Sequence, residues 1–139
     1  MRRGLLLALL LLATTAGAQE ALREGRWRFA ETLALDGLPA LPQAPGPRSF
    51  EVCLSQARPL PLDAQHERNC RVASLRWEQA QLSYLVSCER LEGGIAESAG
   101  KGSYREDGAD FSVSTKVMGA GHPMWMRRHL QGVYLGACE

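Results

Sequence analysis

Soft metal ligands gather once in this chain. Beyond Met1 all the methionines, Met118, Met124 and Met126, fall within nine residues, and His122 and His129 lie beside them. On an extended strand His122, Met124 and Met126 share one face, because side chains alternate with period two. Thioether and imidazole ligands suit Cu(I), so a weak copper(I) site at His122, Met124 and Met126 is one chemistry this segment offers. Packing is the competing use. Methionine fills irregular gaps in a small core, and His122, next to Pro123 in a Gly-rich loop, reads as exposed. Packing makes fewer demands and is the preferred reading. Arg127 and Arg128 point to opposite faces of a strand and are read as surface charge. His66 lies in a polar loop and is read as solvated.

Other signatures of catalysis are missing. No Gly-x-Ser-x-Gly elbow occurs. Gly100-Lys101-Gly102-Ser103 superficially looks like a phosphate loop. It lacks the earlier glycine, and Gly102 separates Lys101 from Ser103, so it is rejected. Glu89, Glu92, Glu97, Glu106 and Asp107 are scattered over turns and strand ends, with no spacing that pairs them as acid and base. No catalytic residue and no cofactor is assigned.

The N-terminus places the protein. Met1-Arg2-Arg3 and Gly4 precede an apolar run from Leu5 to Ala13, then Thr14-Thr15 and Ala16-Gly17-Ala18. A charged start, a short apolar core and a small-x-small site make a secretory signal peptide over residues 1–18. A bilayer span needs about 20 apolar residues, and no second apolar run follows, so no stable membrane span is expected after cleavage. Residues 19–139 then form a single domain in the periplasm. Without Arg2 and Arg3, 14 basic residues face 15 acidic ones, which is no footprint for nucleic acid. Cys53, Cys70, Cys88 and Cys138 are an even set behind a signal peptide and predict two disulfides. Spacings of 17, 18 and 50 residues, with no Cys-x-x-Cys, argue against zinc.

The elements that would position these groups are strands. Alternating runs bounded by Gly, Pro, Asn and Asp predict an all-β fold: a single small antiparallel meander, a curled sheet or small barrel of about seven strands. Strands are expected over 26–35, 49–54, 70–77, 81–90, 95–106, 110–118 and 124–137, the last interrupted near Gly132. The Pro-rich stretch 36–48 is a loop, and 55–69 is a loop with one helical turn. A turn centred on Gln79 sets Cys70 directly opposite Cys88, near disulfide reach. Cys53 then pairs with Cys138 by elimination, one of three possible connectivities. Asp107-Gly108 predicts a two-residue hairpin that sets Tyr104 against Phe111 and Arg105 against Asp110.

Gly25-Arg26-Trp27, Asp36-Gly37-Leu38-Pro39, Val52-Cys53-Leu54, the Cys70/Cys88 pair and Leu135-Gly136-Ala137-Cys138 occur in that order. In this the chain resembles a family of small exported proteobacterial proteins known only as a domain of unknown function (number thirty-six-seventeen). The resemblance covers nearly all of residues 25–138. It implies a periplasmic location and a β fold, and no established activity. Gly25-x-Trp27 is also similar to the opening of lipocalins, where the tryptophan closes one end of the barrel. A core aromatic is the simpler role for Trp27.

The expected function is a non-enzymatic binding or interaction module for a periplasmic protein or a small apolar ligand. A weak copper(I) protein and a lipocalin-like carrier of an apolar ligand are the alternatives. A sizeable apolar cavity lined by Trp27, Phe29, Leu85 or Tyr104 would favour a ligand, and a filled core with an exposed apolar stripe would favour a partner.

Overall fold

The structure, a computed structural model, describes residues 22–36, 46–90, 94–119 and 122–139. The signal-peptide segment and most of the Pro-rich loop lie outside the described residues, as do the side chains of Met118 and His122.

Seven strands and one short helix follow in order: β1 (Gly25–Asp36), β2 (Arg48–Leu54), α1 (Ala64–Asn69), β3 (Cys70–Glu78), β4 (Gln81–Glu89), β5 (Ile95–Tyr104), β6 (Gly108–Gly119) and β7 (His122–Gly136). They make one antiparallel sheet in the order β2-β1-β7-β6-β5-β4-β3. Every sequence neighbour is bonded, and β7 returns to β1. The exception is the β2–β3 step, and there the sheet stays open. The sequence explains the gap. Between β2 and β3 come Pro59 and Pro61, which cannot donate to a ladder, and then α1. Asp63 caps α1 by accepting the His66 backbone N–H at 2.8 Å. The edge strand β3 is blunted by a bulge at Ala73 and by exposed Arg71 and Arg76.

The open sheet is strongly curled. Trp27 on β1 and Tyr104 on β5 stand three strand steps apart, roughly 14 Å on a flat sheet, yet their rings approach to 5.4 Å. Alternation turns one face of each strand inward: Leu82, Tyr84 and Val86 on β4, Ala109, Phe111 and Val113 on β6, and Trp27 and Phe29 on β1 are buried.

Both disulfides form as expected, Cys70–Cys88 and Cys53–Cys138. The route to the first differs from expectation. The β3–β4 turn is the two-residue Gln79-Ala80, with Gln79 at φ 56°, so Trp77 pairs with Leu82. That register would miss Cys88, and the bulge between Val72 and Ser74 shifts it by one residue so that Cys70 and Cys88 meet.

The β5–β6 register also departs from expectation. The turn is built on Glu106-Asp107, closed by the Arg105 N–H to Gly108 carbonyl bond of 2.7 Å, so Tyr104 pairs with Ala109 and Phe111 with Gly102. The slip is one residue on each strand, so the two rings keep their common face and meet diagonally at 5.0 Å. Asp110 pairs in register with Ser103, and its carboxylate bonds His129 on β7 at 3.0 Å; Arg105 is not its partner. β7 is continuous through Gly132, and its irregularity is a register shift opposite Arg26 and Trp27.

Candidate functional site

The inner face reads as rows across the ladders. At one end Tyr104, Ala109, Gly132 and Phe29 form a row, and Leu82, Gly102, Phe111, Leu130 and Glu31 form the next. Then come Tyr84, Gly100, Val113, Arg128 and Leu33, followed by Val86, Ser98, Thr115 and Met126. The last row is Cys88, Ala96, Val117 and Met124. Aromatic rings give way to hydroxyls, charges and thioethers along this axis.

The aromatic end is filled. Trp27, Phe29 and Phe111 are fully buried, and Leu22, Leu54 and Leu60 cap them. Tyr104 donates its hydroxyl to the Pro59 carbonyl at 2.6 Å, and Trp27 donates Nε1–H to the Arg23 carbonyl at 2.9 Å, so neither polar tip is stranded. Gly100 and Gly102, the pair that looked like a phosphate loop, serve packing. A Cβ at Gly100 would strike the Tyr84 ring and one at Gly102 the Phe111 ring. Among the described residues no cavity opens beside Trp27, Phe29 and Tyr104, because those rings pack on one another. Leu85 faces outward on β4, in alternation with buried Tyr84 and Val86.

The other end is open. A cleft of about 510 Å³ is lined by Leu33, Ala96, Val117, Met124 and Met126, with Ser98, Thr115, Glu31 and Arg128 at its floor and Cys70–Cys88 at its wall. Ser98 and Thr115, both buried, share a 2.7 Å hydrogen bond. Arg128 Nη1 stands 3.7 Å from Glu31 Oε2, with side chains only 13% and 10% exposed. Arg128 Nε is buried and has no hydrogen-bond partner. Arg48 on β2 lies opposite Glu31 in register and reaches Asp63 at 3.7 Å. Burial pushes the Tyr84 phenol up to about 12; nearby Arg128 opposes the rise and Glu31 adds to it.

His66 is half-buried at the mouth, with Nδ1 2.8 Å from Asp63, and so is not the solvated residue expected. Burial would raise the Asp63 carboxyl, but hydrogen bonds from His66 and the His66 and Arg48 charges outweigh it and hold the group below its ordinary value.

β7 brings Met124 and Met126 to one face, as the spacing predicts, Met126 half-buried and Met124 more open. The third expected ligand, His122, has its side chain outside the described residues. His129 has odd parity and projects from the outer face to Asp110. Among the described residues no His/Met metal cluster forms, and no group of three His, Cys, Asp or Glu is placed to hold a metal. Arg127 and Arg128 do point to opposite faces, but Arg128 is an inner-face residue and not surface charge.

Glu31, Arg128, Ser98 and Thr115 were missed by reading the sequence. A signal for two of them was present. Trp27-x-Phe29-x-Glu31-x-Leu33 and Met126-x-Arg128-x-Leu130 each place one charge in an otherwise apolar alternation.

The outer face holds one more arrangement with catalytic residue types. His129 Nε2 lies 3.0 Å from both Asp110 oxygens, and Ser112 is opposite His129 in register. These three do not make an acyl-transfer site. Asp110 and His129 are nearly half exposed, Ser112 makes no bond to the ring, and β6 and β7 lie inside the sheet. Backbone N–H groups of interior strands serve the ladders on either side, which is not the arrangement of an oxyanion hole.

No helix among the described residues is long and apolar enough to cross a membrane. No curated protein and no solved structure matches the chain. Residues 22–138, which contain every strand and both disulfides of this curled sheet, match the sequence model described as Protein of unknown function (DUF3617), and the chain belongs to that family.

Proposed function

We propose that this protein is a non-enzymatic periplasmic binding module whose open cleft takes a small ligand with an apolar body. The observation that carries the reading is the change along the inner face, from close-packed rings to a cleft of about 510 Å³. That size falls within the ~300–1,000 Å³ of small-molecule sites, which combine apolar walls with a few placed polar groups. Leu33, Val117, Met124 and Met126 supply the wall, and Glu31, Arg128, Ser98 and Thr115 the polar floor. A small ligand is favoured over a partner protein because, among the described residues, the exposed large apolar side chains are spread over β3, β5 and β7. Two disulfides, together with the apolar N-terminal run, support an oxidising compartment.

Native mass spectrometry of the protein purified from periplasm tests the reading. The expected spectrum shows an organic adduct that solvent extraction removes and that a Met126→Trp variant, with its cleft filled, fails to retain. A bare polypeptide mass, joined to failure of any small amphipath to bind the extracted protein, would overturn it.

A further inference from the structure

We propose that the ligand of this cleft is an amphipathic monocarboxylate, its carboxylate held by Arg128 and its chain laid along Leu33, Val117, Met124 and Met126. The inference rests on the binding reading above and adds the chemical class. Its basis is one deeply set guanidinium whose buried Nε lacks an acceptor among the described residues. Arg128 is deeply set, at 13% exposure, and among the described residues Glu31 is its ion-pair partner. At 3.7 Å that contact balances charge but lies beyond the ~2.7–2.9 Å of a charge-assisted hydrogen bond. Arg128 Nε has no acceptor either. A guanidinium offers five donors in a rigid fork that fits a carboxylate edge-on. Here the guanidinium is charge-balanced by Glu31 while its buried Nε donor has no acceptor among the described residues.

The hydroxyls of the floor do not compete for the ligand's head. Ser98 and Thr115 satisfy each other at 2.7 Å, so they add polarity without an open donor requirement. In register, Arg128 lies between Val113 and Leu33. Met126 and Met124 follow it on the same face towards the mouth. A head group at Arg128 therefore sits at the deep end, with its chain running outward along the thioethers, and Met adapts to chains of differing shape.

Calorimetric titration of the whole protein with three probes of equal chain length tests this: sodium decanoate, 1-decanol and decylamine. Decanoate is expected to bind at least about tenfold more tightly than decanol, as a charge-assisted hydrogen-bonded head group implies. Decylamine is expected to be the weakest. In Arg128→Gln the decanoate advantage over decanol disappears. That variant leaves Glu31 without its cation, so Glu31→Gln/Arg128→Gln is titrated beside it, with near-ultraviolet circular dichroism to verify the fold. Equal binding of decanoate and decanol by the wild type would overturn the inference, needs no variant, and would leave the binding reading standing. A decanoate preference that survives in the folded double variant would also overturn it. Failure of all three probes to bind would overturn the binding reading and this inference together.

Discussion

The two ends of the sheet's interior solve different problems with the same strands. At one end Trp27, Phe29, Tyr104 and Phe111 interlock, each polar tip is bonded, and glycines on β5 make room for the rings. A few residues further along those strands the inward side chains become Ser98, Thr115, Glu31, Arg128, Met124 and Met126, and the interior opens to a cleft. Each end has its own disulfide: Cys53–Cys138 fastens the end of β2 to the C-terminus at the filled end, and Cys70–Cys88 lines the open one. The filled end can hold the curl of the sheet, and that leaves the open end free to carry polar groups that a close-packed core would exclude.

The largest expected effect concerns the two disulfides. Cys53–Cys138 spans 85 residues and Cys70–Cys88 spans 18. Loop-closure entropy gives about 4.5 kcal/mol for the first and about 3 kcal/mol for the second. Paired Cys→Ala variants, unfolded in urea, should rank in that order. The Cys53/Cys138 double variant should also loosen the aromatic end, seen as a weaker near-ultraviolet signal. The opposite ranking would show that the open end is the one holding the sheet's curvature.

Next in size is a pair of truncations one on each side of the boundary. Phe111→Ala removes a fully buried ring and should cost about 3–5 kcal/mol. Met126→Ala trims a half-buried side chain at the cleft wall, where water can enter, and should cost about 1 kcal/mol or less. Comparable losses at both sites would mean that the cleft is as tightly packed as the aromatic end, and the division drawn here would fail.

How much of this was legible in the sequence follows the same boundary. Alternation of large apolar residues is a strong signal, so all seven strands, the inward placement of the rings and both disulfides were readable. The two hairpin registers were not. Gln79-Ala80 and Glu106-Asp107 carry weak turn chemistry beside the stronger Asp107-Gly108 signal. The bulge at Ala73 that brings Cys70 to Cys88 has no glycine to mark it. At the open end single polar residues sit inside apolar alternations. Arg128 and Glu31 are adjacent in sequence to outward-facing residues, and only the pairing of β1 with β7 brings them together. The gap between β2 and β3 was half-legible: Pro59 and Pro61 forbid ladder bonds, but proline alone does not say whether a sheet closes elsewhere.

The smallest of these effects uses two tyrosines to sharpen the boundary by pH. Burial raises Tyr104 well above its ordinary value of 10.0 and pushes Tyr84 up to about 12. The folded state thus holds each phenolic proton more tightly than the unfolded chain does. The associated stability is fully present below pH 10 and is lost as pH rises through the folded values. For Tyr84 that window runs from about 10 to about 12, with a loss of order 2 kcal/mol. Tyr84→Phe, at the boundary row, should leave stability near pH 8 almost unchanged and flatten its fall above pH 10. Tyr104→Phe, inside the filled end, breaks the bond to the Pro59 carbonyl and should cost about 1 kcal/mol at every pH below 10. Urea unfolding of both variants across pH 8–12 separates the two tyrosines. If Tyr84→Phe proved as costly as Tyr104→Phe at pH 8, the phenol of Tyr84 would be bonded within a closed core, and the filled end would extend one row further than Gly100 and Val113 place it.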